Sequence, residues 1–144
     1  MRRRSATDRG TALLLYPAGV VVLICLAAIT VDLTLVRTAR RELVSVVQAA
    51  ADDAAGAADP ARLHAGDRLT VDLDRARRIV EADLEEVDLP GRLVSPVDVR
   101  LGDDPAEVVV LARMEVPSVF LGALPGVSET TTVEVAATGR RLEL

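Results

Sequence analysis

The sequence predicts an α+β protein in which a long N-terminal transmembrane helix continues into a small head built from a second helix and a three-stranded antiparallel sheet. Three observations carry this reading. Residues Thr11 to Val31 (TALLLYPAGVVVLICLAAITV) run for 21 positions without a charge. Apolar residues then recur at spacings of three and four as far as Ala57, and beyond Gly91 the apolar period changes to two.

At the helical rise the uncharged run is about 31 Å long, enough to cross a hydrocarbon core of about 30 Å. Nothing in it is more polar than Thr, Tyr or Cys, so it lacks the polar face of a soluble surface helix. Pro17 falls in the second turn of a helix beginning at Thr11, where a missing N–H costs less than at the centre. A cleaved secretory signal is the main rival: Arg2, Arg3 and Arg4 form a basic start and Cys25-Leu26-Ala27 a small-x-small site. The run is longer than the roughly 7–15 residues of a signal's apolar region, which favours a retained span. Cys25, the single cysteine, follows Ile24 where a lipoprotein signal has a small residue, and reads as a small apolar helix residue. Four Arg precede the span and three (Arg37, Arg40, Arg41) follow it closely. This bias places the N-terminus in the cytoplasm and the head outside.

The expected organisation is a basic cytoplasmic leader over 1–10, a transmembrane segment over 11–36, a continuation of the same helix over 37–58, and an extracytoplasmic α+β head over 59–144. Leu43, Val47, Ala50, Ala54 and Ala57 share one helical face, and Arg41, Ser45, Gln48 and Asp52 another. The Ala-rich QAAADDAAGAA favours helix and lets another element approach its backbone closely. Gly56 and Asp59-Pro60 end it, and residues 59 to 71 read as a connector carrying the lone His64 as a solvated loop residue. A second helix starts with Asp72 or Asp74 as N-cap and runs to about Val87, with Leu73, Ala76, Val80, Leu84 and Val87 as its apolar stripe. The acids Glu81, Asp83, Glu85, Glu86 and Asp88 crowd its C-terminal half, against the helix dipole, and read as a solvated face.

Val97, Val99 and Leu101 alternate with Asp98 and Arg100. Gly102-Asp103-Asp104-Pro105 supplies turn chemistry, and Val108, Val110, Ala112, Met114 and Val116 alternate after it. This is a hairpin with one buried face. Residues Pro117 to Glu129 read as an apolar loop around Phe120, Leu121 and Leu124, and a last strand covers about Thr130 to Thr138. An edge strand of such a sheet is open to pairing with another chain.

The net charge of -5 is uneven: residues 1 to 10 carry four Arg against one Asp, and residues 37 to 144 carry 13 Arg against 20 acids. An acidic head in a chain whose only aromatics are Tyr16 and Phe120 offers neither a phosphate-neutralising stripe nor a stacking platform, which argues against nucleic acid as a partner. There is no glycine-rich phosphate loop, paired Cys or His-x-x-x-His, so the expectation is a non-enzymatic protein without metal or cofactor. Asp52 and Asp53 point about 100° apart on a helix and read as solvated rather than as a catalytic pair. Asp32 stands out at the outer end of the apolar run. A carboxylate so close to lipid needs water, the interface or a partner: either it marks the membrane boundary or it pairs with an Arg of a neighbouring subunit.

The order of these features is recognisable. An Arg-rich leader ends in Asp8-Arg9-Gly10, the span follows, then Val31-Asp32, Arg41-Glu42-Leu43 and the Ala-rich Ala49 to Ala58. In this the chain resembles the TadE/TadG-like, pseudopilin-like proteins of tight-adherence (Flp-type) pilus assembly, most clearly over residues 8 to 58. Leu73-Asp74 and Leu124-Pro125-Gly126 are looser echoes. The resemblance implies a pilin-like architecture and a structural, non-catalytic component of a pilus or secretion assembly in the bacterial cell membrane. Its implied partners are the lipid bilayer, other assembly proteins and a prepilin peptidase cutting between Gly10 and Thr11. Pilins of this kind carry a Glu five residues after the cut, where this chain has Leu15. All 17 basic residues are Arg, which with the Ala and Val excess fits a GC-rich bacterial genome. The alternative is a single-pass envelope protein whose span only tethers a ligand-binding or accessory head. A domain released by signal peptidase is a third reading.

Overall fold

The computed structural model describes residues 7–57, 71–104, 106–120, 122 and 126–140. The expected connector with His64 (apart from its last residue, Val71), the start of the leader, and Leu121, Leu124 and Pro125 lie outside these residues. Two helices, α1 (Thr7–Ala55) and α2 (Leu73–Glu86), precede three strands, β1 (Arg92–Leu101), β2 (Glu107–Pro117) and β3 (Thr130–Arg140). The strands form one antiparallel sheet in the order β1-β2-β3. The α+β class, the long first helix and the three-stranded head follow the sequence expectation.

Helix α1 is continuous for 49 residues, about 73 Å at the helical rise. It begins before Thr11, so Pro17 lies in its third turn rather than its second, and Pro17 withholds one backbone hydrogen bond inside the helix. From Leu15 to Val31 the helix touches almost nothing: only Ala28 is partly covered. The hydroxyls of Thr30 and Thr34 each donate to the carbonyl four residues back, at 2.8 and 2.7 Å, so this stretch presents little unsatisfied polarity to its surroundings. Above it one face turns inward: Asp32, Ala39, Leu43, Val47, Ala50, Ala51, Ala54 and Ala55 are buried.

Helix α2 begins where the sequence places it. Asp72 is the N-cap, its Oδ1 accepting the amides of Asp74 and Arg75 at 3.1 Å each. The Asp72 N–H donates to the Ala57 carbonyl at 2.9 Å, fixing the start of α2 beside the end of α1. Ala76, Val80 and Leu84 are buried as expected, and Leu73 packs against the core at its edge. Val87 departs from the expected stripe: it is the C-cap, in extended conformation, and exposed.

In β2 the residues Val108, Val110, Ala112, Met114 and Val116 are all buried, and in β3 Val133, Val135 and Ala137. Both helices cover this face. The opposite face is mixed: Val94, Val109 and Leu111 lie among charged side chains, with Arg92–Glu115 (2.9 Å) and Arg113–Glu134 (3.3 Å) pairing directly across neighbouring strands. Strand β1 starts five residues before the expected Val97. Between Val94, opposite Arg113, and Asp98, opposite Leu111, it places three residues against Ala112 alone, a bulge that absorbs Pro96 on an edge strand. Strand β3 runs two residues past Thr138, and buried Gly139 lies against α1. A Cβ on Gly139 would stand 1.9 Å from the Ala51 carbonyl oxygen. The close approach expected of the Ala-rich segment is made here, backbone to backbone.

Candidate functional site at the helix–head junction

Because the strands are antiparallel, the connections sort to two ends of the head. Gly139 meets Ala51 and Asp72 meets Ala57 at the end farther along α1. The α2–β1 turn (87–91) and the β2–β3 loop (118–129) fall at the opposite end, where α1 passes into its bare apolar half. Asp32 joins the two parts there.

Asp32 is 3% exposed. Its Oδ1 accepts the amides of Val119 at 2.9 Å and Phe120 at 3.2 Å, and its Oδ2 accepts Phe120 again at 3.1 Å. These amides lie just past the last β2–β3 ladder pair, Pro117 with Thr130, so no strand partner serves them. The Ser118 N–H closes the loop base on the Glu129 carbonyl at 2.8 Å. Within the chain, then, the carboxylate fastens the β2–β3 loop to α1. The carboxylate was visible in the sequence; its partners, 87 and 88 positions away, carried no signal there.

At the other end Gln48 donates to the Thr138 carbonyl at 3.1 Å and to Asp52 Oδ1 at 3.2 Å, covering part of the exposed edge of β3 that would otherwise invite another strand. Asp53 is exposed, but the α2 acids are not uniformly solvated. Asp83 is partly buried between the helices, its Oδ2 lacks a hydrogen-bond partner, and its carboxyl is pushed above the ordinary range by desolvation and then by the charges of Asp53 and Glu86. Gly10 and Thr11 lie in helical backbone near the start of α1, where fraying is cheapest. Cys25 is exposed on the apolar half. Among the described residues no three His, Cys, Asp or Glu side chains gather in a way that could hold a metal ion.

The site is therefore a junction: a helix long and apolar enough to cross a membrane, locked at the boundary of its bare half to a small α+β head. Compared with protein-family models, curated proteins and solved structures, the chain matches none.

Proposed function

We propose that the protein is a single-pass, membrane-anchored, pseudopilin-like component of a Tad/Flp-type pilus or secretion assembly, structural and non-catalytic, with its N-terminus in the cytoplasm and its head outside. The observation that carries the reading is the division of α1 into two halves with different surroundings. Ten large apolar side chains between Leu15 and Val31 are exposed. Removing them from water is worth on the order of 10 kcal/mol or more, comparable to the whole stability of a small domain. A bilayer supplies that burial. The second half of the same helix is the central support of the head, so the anchor and the structural spine are one element, which is the arrangement a laterally packing pilin-like subunit needs. The order of leader, span, Asp32 and Ala-rich continuation supports the family reading.

The test is the native protein carrying a C-terminal tag. Mass spectrometry of its N-terminus is expected to give Thr11 if prepilin peptidase acts, and cross-linking is expected to capture pilus or secretion-assembly components. A deletion strain with normal pili and secretion, together with no such component in the cross-linked material, refutes the reading.

A further inference from the structure

The end of the head nearest the bare half of α1 is unusually apolar for a loop region. Val119, Phe120 and Val127 of the β2–β3 loop are 58%, 47% and 43% exposed, and Val87 of the neighbouring turn is exposed as well. The far turn, in contrast, carries Asp103 and Asp104, the latter paired with Arg140 at 3.0 Å. Phe120 is one of only two aromatics in the chain, and the other, Tyr16, is exposed near the opposite end of the uncharged run. Asp32 lies sixteen positions after Tyr16, about 24 Å of helix.

The height of the loop is not arbitrary. Asp32 is the first charge after the uncharged run, and its carboxylate holds the amides of Val119 and Phe120 themselves. The surface of α1 stays apolar beyond it, through exposed Leu33 and Leu35, until Arg37. A loop fastened at Asp32 therefore lies where a bilayer spanned by residues 11–31 has its outer headgroup boundary.

We propose that the β2–β3 loop is a second membrane contact, with Val119 and Phe120, joined by Val127, inserted among the lipid headgroups beside α1 and held at that depth by Asp32. The proposal rests on the reading of α1 as a membrane span. The occupant is lipid because the patch is continuous with the apolar surface of that span. It is an apolar contact: Glu85, Glu86, Asp88 and Glu129 flank this end of the head, so zwitterionic bilayers suffice and anionic lipid adds no affinity. With this contact the head rests on the surface in one orientation instead of swinging on its helix.

The chain has no Trp, so single Trp variants report depth directly. Full-length Phe120→Trp, Val119→Trp, Leu23→Trp and Thr132→Trp are reconstituted in phosphatidylcholine vesicles whose acyl chains carry bromine either near the carbonyl or near the chain end. Leu23→Trp reports the span, and Thr132→Trp the outer face of the sheet. Expected are quenching of Leu23→Trp mainly by deep bromines, none of Thr132→Trp, and blue-shifted emission from Phe120→Trp and Val119→Trp with several-fold stronger quenching by shallow than by deep bromines. If Leu23→Trp is quenched while both loop probes behave like Thr132→Trp, the loop proposal is overturned and the span reading stands. Blue-shifted loop probes that escape quenching but respond to the protein-to-lipid ratio overturn it in favour of a second copy of the chain. An unquenched Leu23→Trp overturns both readings.

Discussion

Replacing Gly139 with Ala tests the closest contact between α1 and the sheet. The new Cβ would lie 1.9 Å from the Ala51 carbonyl oxygen, 2.2 Å from its carbonyl carbon and 2.8 Å from the Asp52 nitrogen. All three atoms are backbone, so no rotamer change relieves the overlap. Either β3 withdraws from α1 by more than an ångström, or α1 bends. Withdrawal stretches the hydrogen bond from Gln48 to Thr138 and opens the packing of Val135 and Ala137. Overpacking in a core typically costs about 1–3 kcal/mol, and a clash with fixed backbone on both sides belongs at or above the top of that range. At about 4–8 °C per kcal/mol for a domain of this size, the melting temperature falls by more than about 12 °C. The assay is thermal unfolding of the full chain in detergent, followed by circular dichroism, with Thr132→Ala on the exposed face of the same strand as control. Adding Ala51→Gly does not rescue the variant, because the obstructing atoms belong to the peptide unit and not to the Ala51 methyl. A Gly139→Ala protein that melts within about 2 °C of the parent, less than about 0.5 kcal/mol, refutes the close approach.

The other expectations concern side-chain hydrogen bonds and one titration. Asp32→Ala removes acceptors worth about 1.5–3 kcal/mol per bond to a charged group, so the Val119 and Phe120 amides exchange with solvent roughly 10- to 100-fold faster. Asp32→Asn keeps one carbonyl oxygen and falls between, whereas unchanged exchange in Asp32→Ala overturns the clamp. Asp72→Ala loses the N-cap of α2 and costs about 1 kcal/mol; a melting temperature equal to the parent's contradicts the assignment. Asp83 holds its proton to higher pH in the folded than in the unfolded chain, so between the two values the folded state binds more protons and stability falls as pH rises. Its contribution is most favourable below the unfolded value and is lost as pH rises through the raised folded value. Asp83→Asn is expected to melt higher at neutral pH and to flatten this part of the pH profile, and a variant less stable than the parent at neutral pH argues that the carboxylate is satisfied.

What could be read in the sequence was what local pattern encodes. The Asp72 cap with the Ala76, Val80 and Leu84 stripe located α2, and strict alternation located β2 to the residue on its buried face. The start of β1 was hidden because Pro96 resembles a strand breaker; on an edge strand with a bulge its missing N–H costs no ladder bond. Gly139 was missed because the expected strand stopped at Thr138, one residue short of it; a glycine inside a strand marks a close backbone approach, but nothing in its neighbours named Ala51 as the element approached. The same limit applied to Asp32. The cost of a carboxylate at the end of so long an apolar run was legible from position alone, whereas the amides that satisfy it belong to a loop brought there only by the sheet's register.

The two ends of the helix–head contact differ in kind, and the difference has a geometric consequence. Asp32, Val36, Ala39, Leu43, Val47, Ala50 and Ala54 advance 22 positions in six steps, about 3.7 residues per step, so the face drifts only slightly from the 3.6 of a straight helix, in the right-handed sense. Along that face the side chains shrink from Leu43 and Val47 to Ala50, Ala51 and Ala54, and the sheet closes on the helix until Gly139 touches its backbone. At the other end a carboxylate reaches out to loop amides instead. A close-packed contact resists compression but is indifferent to small rotations about it, whereas hydrogen bonds to two successive amides resist rotation. Each end therefore constrains what the other leaves free, and the head is held on α1 as one rigid piece. Any tilt or displacement of the apolar half is carried directly into the sheet, which is the mechanical property that the proposed double role of α1, anchor and spine, requires.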